Sequence, residues 1–405
     1  MIVDARCVSA AQRVMLDVAA RGLRAVGCAA DRRPAAAPQA YGPDIDWDTV
    51  VFQAGLHGAL GLMQEGVAAG AAVPAAAAGR IAALHRAGQQ RAVGLCGELA
   101  RLFDLLDGNG IPLIAIKGPL LAHRVYGNLG RRSCWDLDLL LPRGSVTAAA
   151  ALLEANGFVP QERWDAHRTR RELRRNCEYN FDHPGRGVHV ELHWDFVPRS
   201  IGLACDMNGI WRRAEAITFL GRPMRVLAPA DELITLAVHH GAKHSYEQLR
   251  MVADIALCSA HTLERTTVDQ LWRRAERAGV RRLLATGLLL ARELLDAPLN
   301  ADLVRRVAAD PQVARSARRC AHNLLRFSGD PPEDGLNQLI TYLQLRERPR
   351  DRLRYLPRAA AAVLTPSEHE QRLLPLPRAL RAVHVIVRPL RLLSKYALKA
   401  RRGSG

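Results

Sequence analysis

The sequence predicts an α+β protein in which a small α/β core is flanked on both sides by helical regions. Apolar residues recur at helical spacing from Trp47 to Asp107 and again after Pro229. Between these stretches lie apolar runs of strand length, Leu113 to Ile116 and Trp135 to Leu141. A third segment, Gly187 to Trp194, alternates strictly, placing His189, Glu191 and His193 on one face and Val188, Val190 and Leu192 on the other. The 405 residues allow roughly two to three domains, and the 49% apolar content is that of an ordinary globular chain.

Taken in order, Met1 to about Gly27 is helical in spacing, and Cys28 to Pro43, rich in Ala, Pro and Arg, reads as a loose connection. Amphipathic helices separated by Gly and Pro fill Trp47 to Asp107, so residues 1–107 form a helical N-terminal domain. Gly108-Asn109-Gly110-Ile111-Pro112 is a turn signal, and the buried strand Leu113 to Ile116 follows it. A helix from about Pro119 to Tyr126 starts with proline, whose missing N–H costs nothing there. The loop Gly127 to Cys134 leads into the second strand. Val146 to Asn156 is a helix ended by Gly157, and Phe158-Val159-Pro160 begins another extended segment. The core thus spans 108–229. Helical patterns over Asp231–His244, Leu249–Ala260, Thr267–Ala278, Val280–Leu295 and Asp302–Phe327, with one more helix within Pro331–Arg350, make 230–348 a helical C-terminal domain. Residues 349–405 are basic and broken by prolines.

A net charge of +17 favours polyanionic company such as nucleotides, RNA or acidic lipid. Part of the excess sits in the terminal stretch Arg388 to Arg402, and the scattered arginines read as solvated helix faces. The abundance of alanine and arginine resembles GC-rich codon bias. Eight cysteines at irregular spacing, with no C-x-x-C pair, argue for reduced thiols in a cytoplasmic protein. No signal peptide or membrane-spanning apolar run is expected.

The residues with chemical content begin at Ile114-Ala115-Ile116-Lys117-Gly118-Pro119 and continue in Trp135-Asp136-Leu137-Asp138-Leu139. Asp136 and Asp138 stand at i and i+2 of a strand, so both carboxylates share one face. Like charges so placed repel unless a cation lies between them, and a hard ion such as Mg²⁺ supplies that compensation. Gly118, at a strand-to-helix turn, lets backbone approach a phosphate, and the helix N-terminus behind it adds oriented N–H groups. Glu191 completes a carboxylate triad as ligand or base, with Asp195 as the other candidate for third acid. His240 and His244 have the i, i+4 spacing of a zinc pair, but no third ligand accompanies them.

The order Lys-Gly, loop, Arg-x-x-x-Asp-Leu-Asp-Leu-Leu, then Val-Glu-Leu-His-Trp resembles the nucleotidyltransferase superfamily (polymerase beta-like), in particular an uncharacterised branch with Lys-Gly in place of Gly-Ser. Asp46-Trp47 through His57, His239 to His244, Leu249 to Asp254 and Arg388 to Leu392 extend the likeness over nearly the whole chain. The resemblance implies a small mixed-sheet core. It implies Asp136 and Asp138 as ligands of a metal pair, Mg²⁺ or Mn²⁺, with Glu191 as the third acid. It further implies that Lys117, Gly118, Arg132 and Lys243 bind the triphosphate of an NTP such as ATP, and it matches Asp254 to a family acid. Lys117 and Trp135 replace residues that are small in the superfamily, which implies an altered acceptor pocket.

A count supports the lysines independently. Of 57 basic residues only Lys117, Lys243, Lys395 and Lys399 are lysine, and an internal lysine in so arginine-biased a chain suggests a need for a compact ammonium. The reading is a metal-dependent nucleotidyltransferase moving NMP from an NTP to a hydroxyl or phosphate acceptor, with pyrophosphate released. The acceptor stays open among a small molecule, a peptide, a protein and RNA; nucleic acid is possible but not required. Two other classes stay open: a catalytically inactive nucleotide- or RNA-binding protein, and a kinase using the same fold.

Overall fold

The structure is a computed structural model that describes residues 8–27, 40–203, 205–329 and 335–364. The basic stretch from Arg388, Lys395, Lys399 and most of the connection read at Cys28–Pro43 lie outside these residues.

Four helices come first: α1 (Ala10–Gly27), α2 (Trp47–Leu56), α3 (Leu60–Ala68) and α4 (Ala75–Asp107). Asp46 caps α2 by accepting from the amides of Asp48 and Thr49, which satisfies two donors the first turn leaves unpaired. Helices α1 and α3 cross with backbones almost touching. A Cβ on Gly22 would stand 1.9 Å from the Leu62 carbonyl oxygen, and one on Gly66 would stand 2.1 Å from that of Val18.

The middle of the chain builds the sheet: β1 (Ile114–Ile116), α5 (Gly118–Tyr126), β2 (Asp136–Leu140), α6 (Val146–Ala155), β3 (Val159–Pro160), α7 (Ala166–Arg175), β4 (Glu178–His183) and β5 (Val188–His193). The order across it is β1-β2-β5-β4-β3, with β2 and β5 parallel and the other neighbours antiparallel, so the sheet is mixed. Alternation divides its two faces. Ala115, Leu137, Leu139, Tyr179, Phe181, Val190 and Leu192 point to one side and form a core with α4 and α6. The opposite face carries a polar lattice in which Asp136 pairs with His189, Asp138 with Glu191, and Glu191 with Asn180.

Helix α8 (Met207–Arg213) and the hairpin β6 (Glu215–Phe219) and β7 (Arg222–Val226) lead to the second helical region. There α9 (Pro229–Leu236) runs into a π-helical turn, Ala237–Lys243. Then come α10 (Leu249–Leu263), α11 (Val268–Ala278), α12 (Arg281–Leu295), α13 (Ala301–Ala308), α14 (Pro311–Leu325), α15 (Gly335–Leu345) and α16 (Pro349–Leu364). The helix expected over Asp302–Phe327 is two, because Asp310 caps a new start and Pro311 has no N–H to continue the old one. One large core joins Val18 of α1, Leu62 of α3, Ile114 and Ile116 of β1, Val252 of α10, and Leu284 and Leu288 of α12.

Among the described residues no helix is long and apolar enough to cross a membrane. Cys96, Cys134, Cys177, Cys205, Cys258 and Cys320 are free thiols.

Candidate active site

The polar face of the sheet meets the π-helical turn across a cavity of about 240 Å³, lined by Lys117, Asp136, Asp138, Glu191, His239 and Lys243 among others. Strand β2 supplies the aspartates from one face, and parallel pairing sets Glu191 directly beside Asp138. Asp195, the other candidate acid, lies beyond the end of β5 and accepts the Phe196 amide. The register thus brings Glu191, and not Asp195, next to the aspartate pair.

Asp138 is buried and its Oδ1 accepts from two sides, from Lys117 Nζ at 2.8 Å and His193 Nε2 at 2.8 Å. His193 Nε2 also lies 2.9 Å from Glu191 Oε2. Burial alone would raise the Glu191 carboxyl, yet hydrogen bonds from His189 and His193 hold it far below the usual carboxylate range. His189 is pushed up to about 9, first by its bond to Glu191 and, against burial, by its bond to Asp182, 2.8 Å away. Asp136 differs from its neighbours. Its carboxyl is raised by burial and by the charge of Asp138, and among the described residues it has no hydrogen-bond or ion-pair partner.

That unmatched carboxylate tests whether the residues suit a cation. Donor atoms of Asp138, Glu191 and His193 lie within 4.8 Å of one another, with Asp136 one pleat along on the same face. A set dominated by carboxylate oxygens suits a hard ion such as Mg²⁺ or Mn²⁺. The residues fit.

Lys117 and Gly118 form the turn between β1 and α5. Lys117 adopts φ +54°, ψ −138°, and Gly118 φ +52°. Glycine tolerates such a conformation, but a lysine there is strained. The turn aims the Lys117 ammonium at Asp138 and, 3.2 Å away on the other side, at His239 Nε2.

His239 and His240 are adjacent in sequence and both buried. The sequence predicts an uninterrupted α-helix over Asp231–His244, whereas the wider π turn lets both imidazoles face inward. Burial, reinforced by the charge of Lys117, drives the pKa of His239 well below the usual range, and burial lowers His240 to about 4. Both rings are therefore neutral, with one donor and one acceptor each. Lys117 can only donate, so His239 Nε2 accepts and its Nδ1–H donates to His240 Nδ1 at 3.3 Å. His240 Nε2–H is then left to donate to Asp254 Oδ2 at 3.0 Å. Every donor in the chain from Lys117 to Asp254 points the same way.

Asp254 anchors that chain in the interior. Arg132 holds it with two bonds of 2.8 and 2.9 Å, and the Tyr126 hydroxyl donates at 2.6 Å. Burial would raise this carboxyl, but Arg132 and then His240 hold it far below the carboxylate range. Arg132 lines the cavity yet is only 3% exposed, its two bonding arms committed to Asp254. Lys243 also lines the cavity, and its ammonium sits 2.9 and 2.7 Å from the two oxygens of Glu178. Trp135 is 56% exposed, with the Arg91 guanidinium 4.1 Å over its ring. His244 turns to Glu247, 3.2 Å away.

Three participants gain their roles only in the folded chain. Glu178, the partner of Lys243, lies on β4, whose alternation in Glu178-Tyr179-Asn180-Phe181-Asp182 is a usable signal. His239 and Tyr126 act through residues more than a hundred positions away, and no local pattern marks those pairings.

The family model described as uncharacterised nucleotidyltransferase matches residues 43–296. No curated protein matches the chain.

Proposed function

Because the chain belongs to this nucleotidyltransferase family, we propose that it transfers NMP from an NTP to a hydroxyl or phosphate acceptor, releasing pyrophosphate, and that it does so in the cytoplasm, where its free thiols stay reduced. The observation that carries the reading is the register of Asp136, Asp138 and Glu191 on one sheet face, under a cavity with Lys117 and Lys243 on its wall. Those three carboxylates are the residues to hold Mg²⁺ or Mn²⁺. Such an ion, when bound, would neutralise triphosphate charge and activate the acceptor oxygen.

The chain's own groups have separable tasks. Lys117 keeps two N–H groups on Asp138 and His239 and presents the third to a phosphate oxygen. Gly118, at the N-terminus of the nine-residue α5, offers backbone N–H groups to the same triphosphate. Lys243, paired with Glu178, adds a further ammonium to the cavity lining. Arg132 acts from behind, holding Asp254 and through it the imidazoles that seat Lys117. Glu191 already accepts from His193 and faces His189, which makes it a poor base. In the transfer, the acceptor oxygen would bond to the α-phosphorus as the bond to pyrophosphate breaks, with pyrophosphate leaving with the electron pair; where the acceptor is a hydroxyl, its proton would pass to solvent water. The helical regions 1–107 and 230–348 would frame the acceptor.

The test is to incubate the protein with each α-labelled NTP, Mg²⁺ and cell extract, beside Asp136→Asn and Asp138→Asn. Label transfer with pyrophosphate release in the wild type alone supports the proposal. Release of a nucleoside diphosphate would point to a kinase, and absence of NTP binding would leave a binding protein of another kind.

A further inference from the structure

We propose that Lys117 is a tethered cation standing in for one of the two divalent ions that paired aspartates would otherwise hold, so that the site works with a single metal. The inference rests on the nucleotidyl-transfer reading and narrows it.

Occupancy of the carboxylates is the first ground. A two-ion site needs both aspartates open, yet Asp138 Oδ1 already accepts from Lys117 at 2.8 Å and His193 at 2.8 Å. Asp136 has no hydrogen bond or ion pair among the described residues; burial and Asp138 raise its carboxyl, and the charges of Lys117 and Arg250 act on it only from a distance. The protein has committed Asp138 to its own cations by direct contact and left Asp136 without one.

Chemistry is the second ground. A metal ion held by such carboxylates would supply positive charge to a phosphate. An ammonium has three N–H groups, and Lys117 spends one on Asp138 and one on His239. The third would be available to a phosphate oxygen, so the ammonium would supply the same charge between carboxylate and phosphate. A guanidinium is a planar fork and cannot mimic a compact point charge. This accounts for a lysine at 117 in a chain with only three others.

The backbone supplies the third ground. Lysine at φ +54° is strained, and such strain persists where a functional geometry needs it. The side chain is also 11% exposed and braced by a neutral His239. An ammonium that merely answered a phosphate would need neither the strained turn nor the brace.

The experiment counts Mn²⁺ by electron paramagnetic resonance as it is titrated into the full chain, with and without an α,β-methylene NTP analogue, for wild type, Lys117→Ala and Lys117→Gly. The expected result is one Mn²⁺ per wild-type chain in the presence of the analogue. Removing the ammonium should open the second position, giving two in either variant. Glycine suits the backbone at this position, so Lys117→Gly serves if the alanine variant does not fold. Two Mn²⁺ in the wild type overturn the inference, as does a count that stays at one in the folded variant. A wild type that binds no analogue at any Mn²⁺ concentration rejects the nucleotidyl-transfer reading instead.

Discussion

Replacing Lys117 by glycine and by alanine should reverse the usual order of those two residues. At an ordinary position glycine is the less stable by about 0.4 to 1 kcal/mol, because its unfolded chain has more freedom to lose. Position 117 has φ +54°, ψ −138°, where any side chain costs about 1 to 3 kcal/mol and glycine almost nothing. Both variants lose the same ammonium, leaving buried Asp138 with His193 as its remaining partner, so that large shared loss cancels in the comparison. The difference is strain relieved minus entropy, which leaves Lys117→Gly more stable than Lys117→Ala by about 0 to 2.6 kcal/mol, centrally about 1.3 kcal/mol. Urea unfolding of both, monitored by circular dichroism, measures it, provided the denaturant slopes agree. If alanine proves more stable than glycine, the turn is unstrained and the backbone argument for Lys117 fails.

Arg132→Ala should destabilise the protein by about 3 to 5 kcal/mol, because it leaves Asp254, with a fully buried side chain, short of its main counter-charge; a loss under about 1 kcal/mol in urea unfolding would contradict this. Glu232 should make stability fall with rising pH. Burial raises its carboxyl from 4.5 to about 7 despite the opposing charge of Arg124, so between those values the folded state binds more protons than the unfolded one. The contribution is fully present below 4.5 and lost as pH rises through about 7, on the order of 3 kcal/mol at most. Unfolding midpoints at about pH 5 and about pH 8 should therefore differ less in Glu232→Gln than in the wild type; equal differences would place the titration elsewhere. Gly66→Ala should cost about 1 to 3 kcal/mol by forcing α1 off α3, since its Cβ would meet the Val18 carbonyl at 2.1 Å; an unchanged melting temperature would mean that the crossing is looser than described.

The local patterns that predict β2 and β5 also predict which residues share the site, since period-two alternation assigns Asp136, Asp138, Glu191 and His193 to polar faces. What alternation cannot give is pairing. That β2 lies beside β5, with Asp138 opposite Glu191, depends on a crossover of about fifty residues whose length encodes no register. The hairpin β6–β7 is hard to read for a different reason: it turns at Leu220-Gly221 rather than at an Asn-Gly. The π turn is illegible because one extra residue in a helical turn leaves the apolar pattern almost unchanged, yet it decides where His239 and His240 point. Arg132, which the resemblance matches to a phosphate contact, both lines the cavity and binds an acid 122 positions away, a pairing that no local pattern marks.

Among the described residues, the contacts that cross from the sheet region into the helices beyond Pro229 include Lys117 to His239, Arg124 to Glu232, Tyr126 and Arg132 to Asp254, and Glu178 to Lys243. Each joins one half of a charge or hydrogen-bond pair to a partner that the other half of the chain must deliver. A sheet region inherited, fused or expressed without those helices would carry the carboxylates but not the groups that seat Lys117 and quiet Glu178. Such a site cannot be exchanged between proteins as a cassette. Its two halves must diverge in step, and a change tolerated on one side becomes an opening for a compensating change on the other.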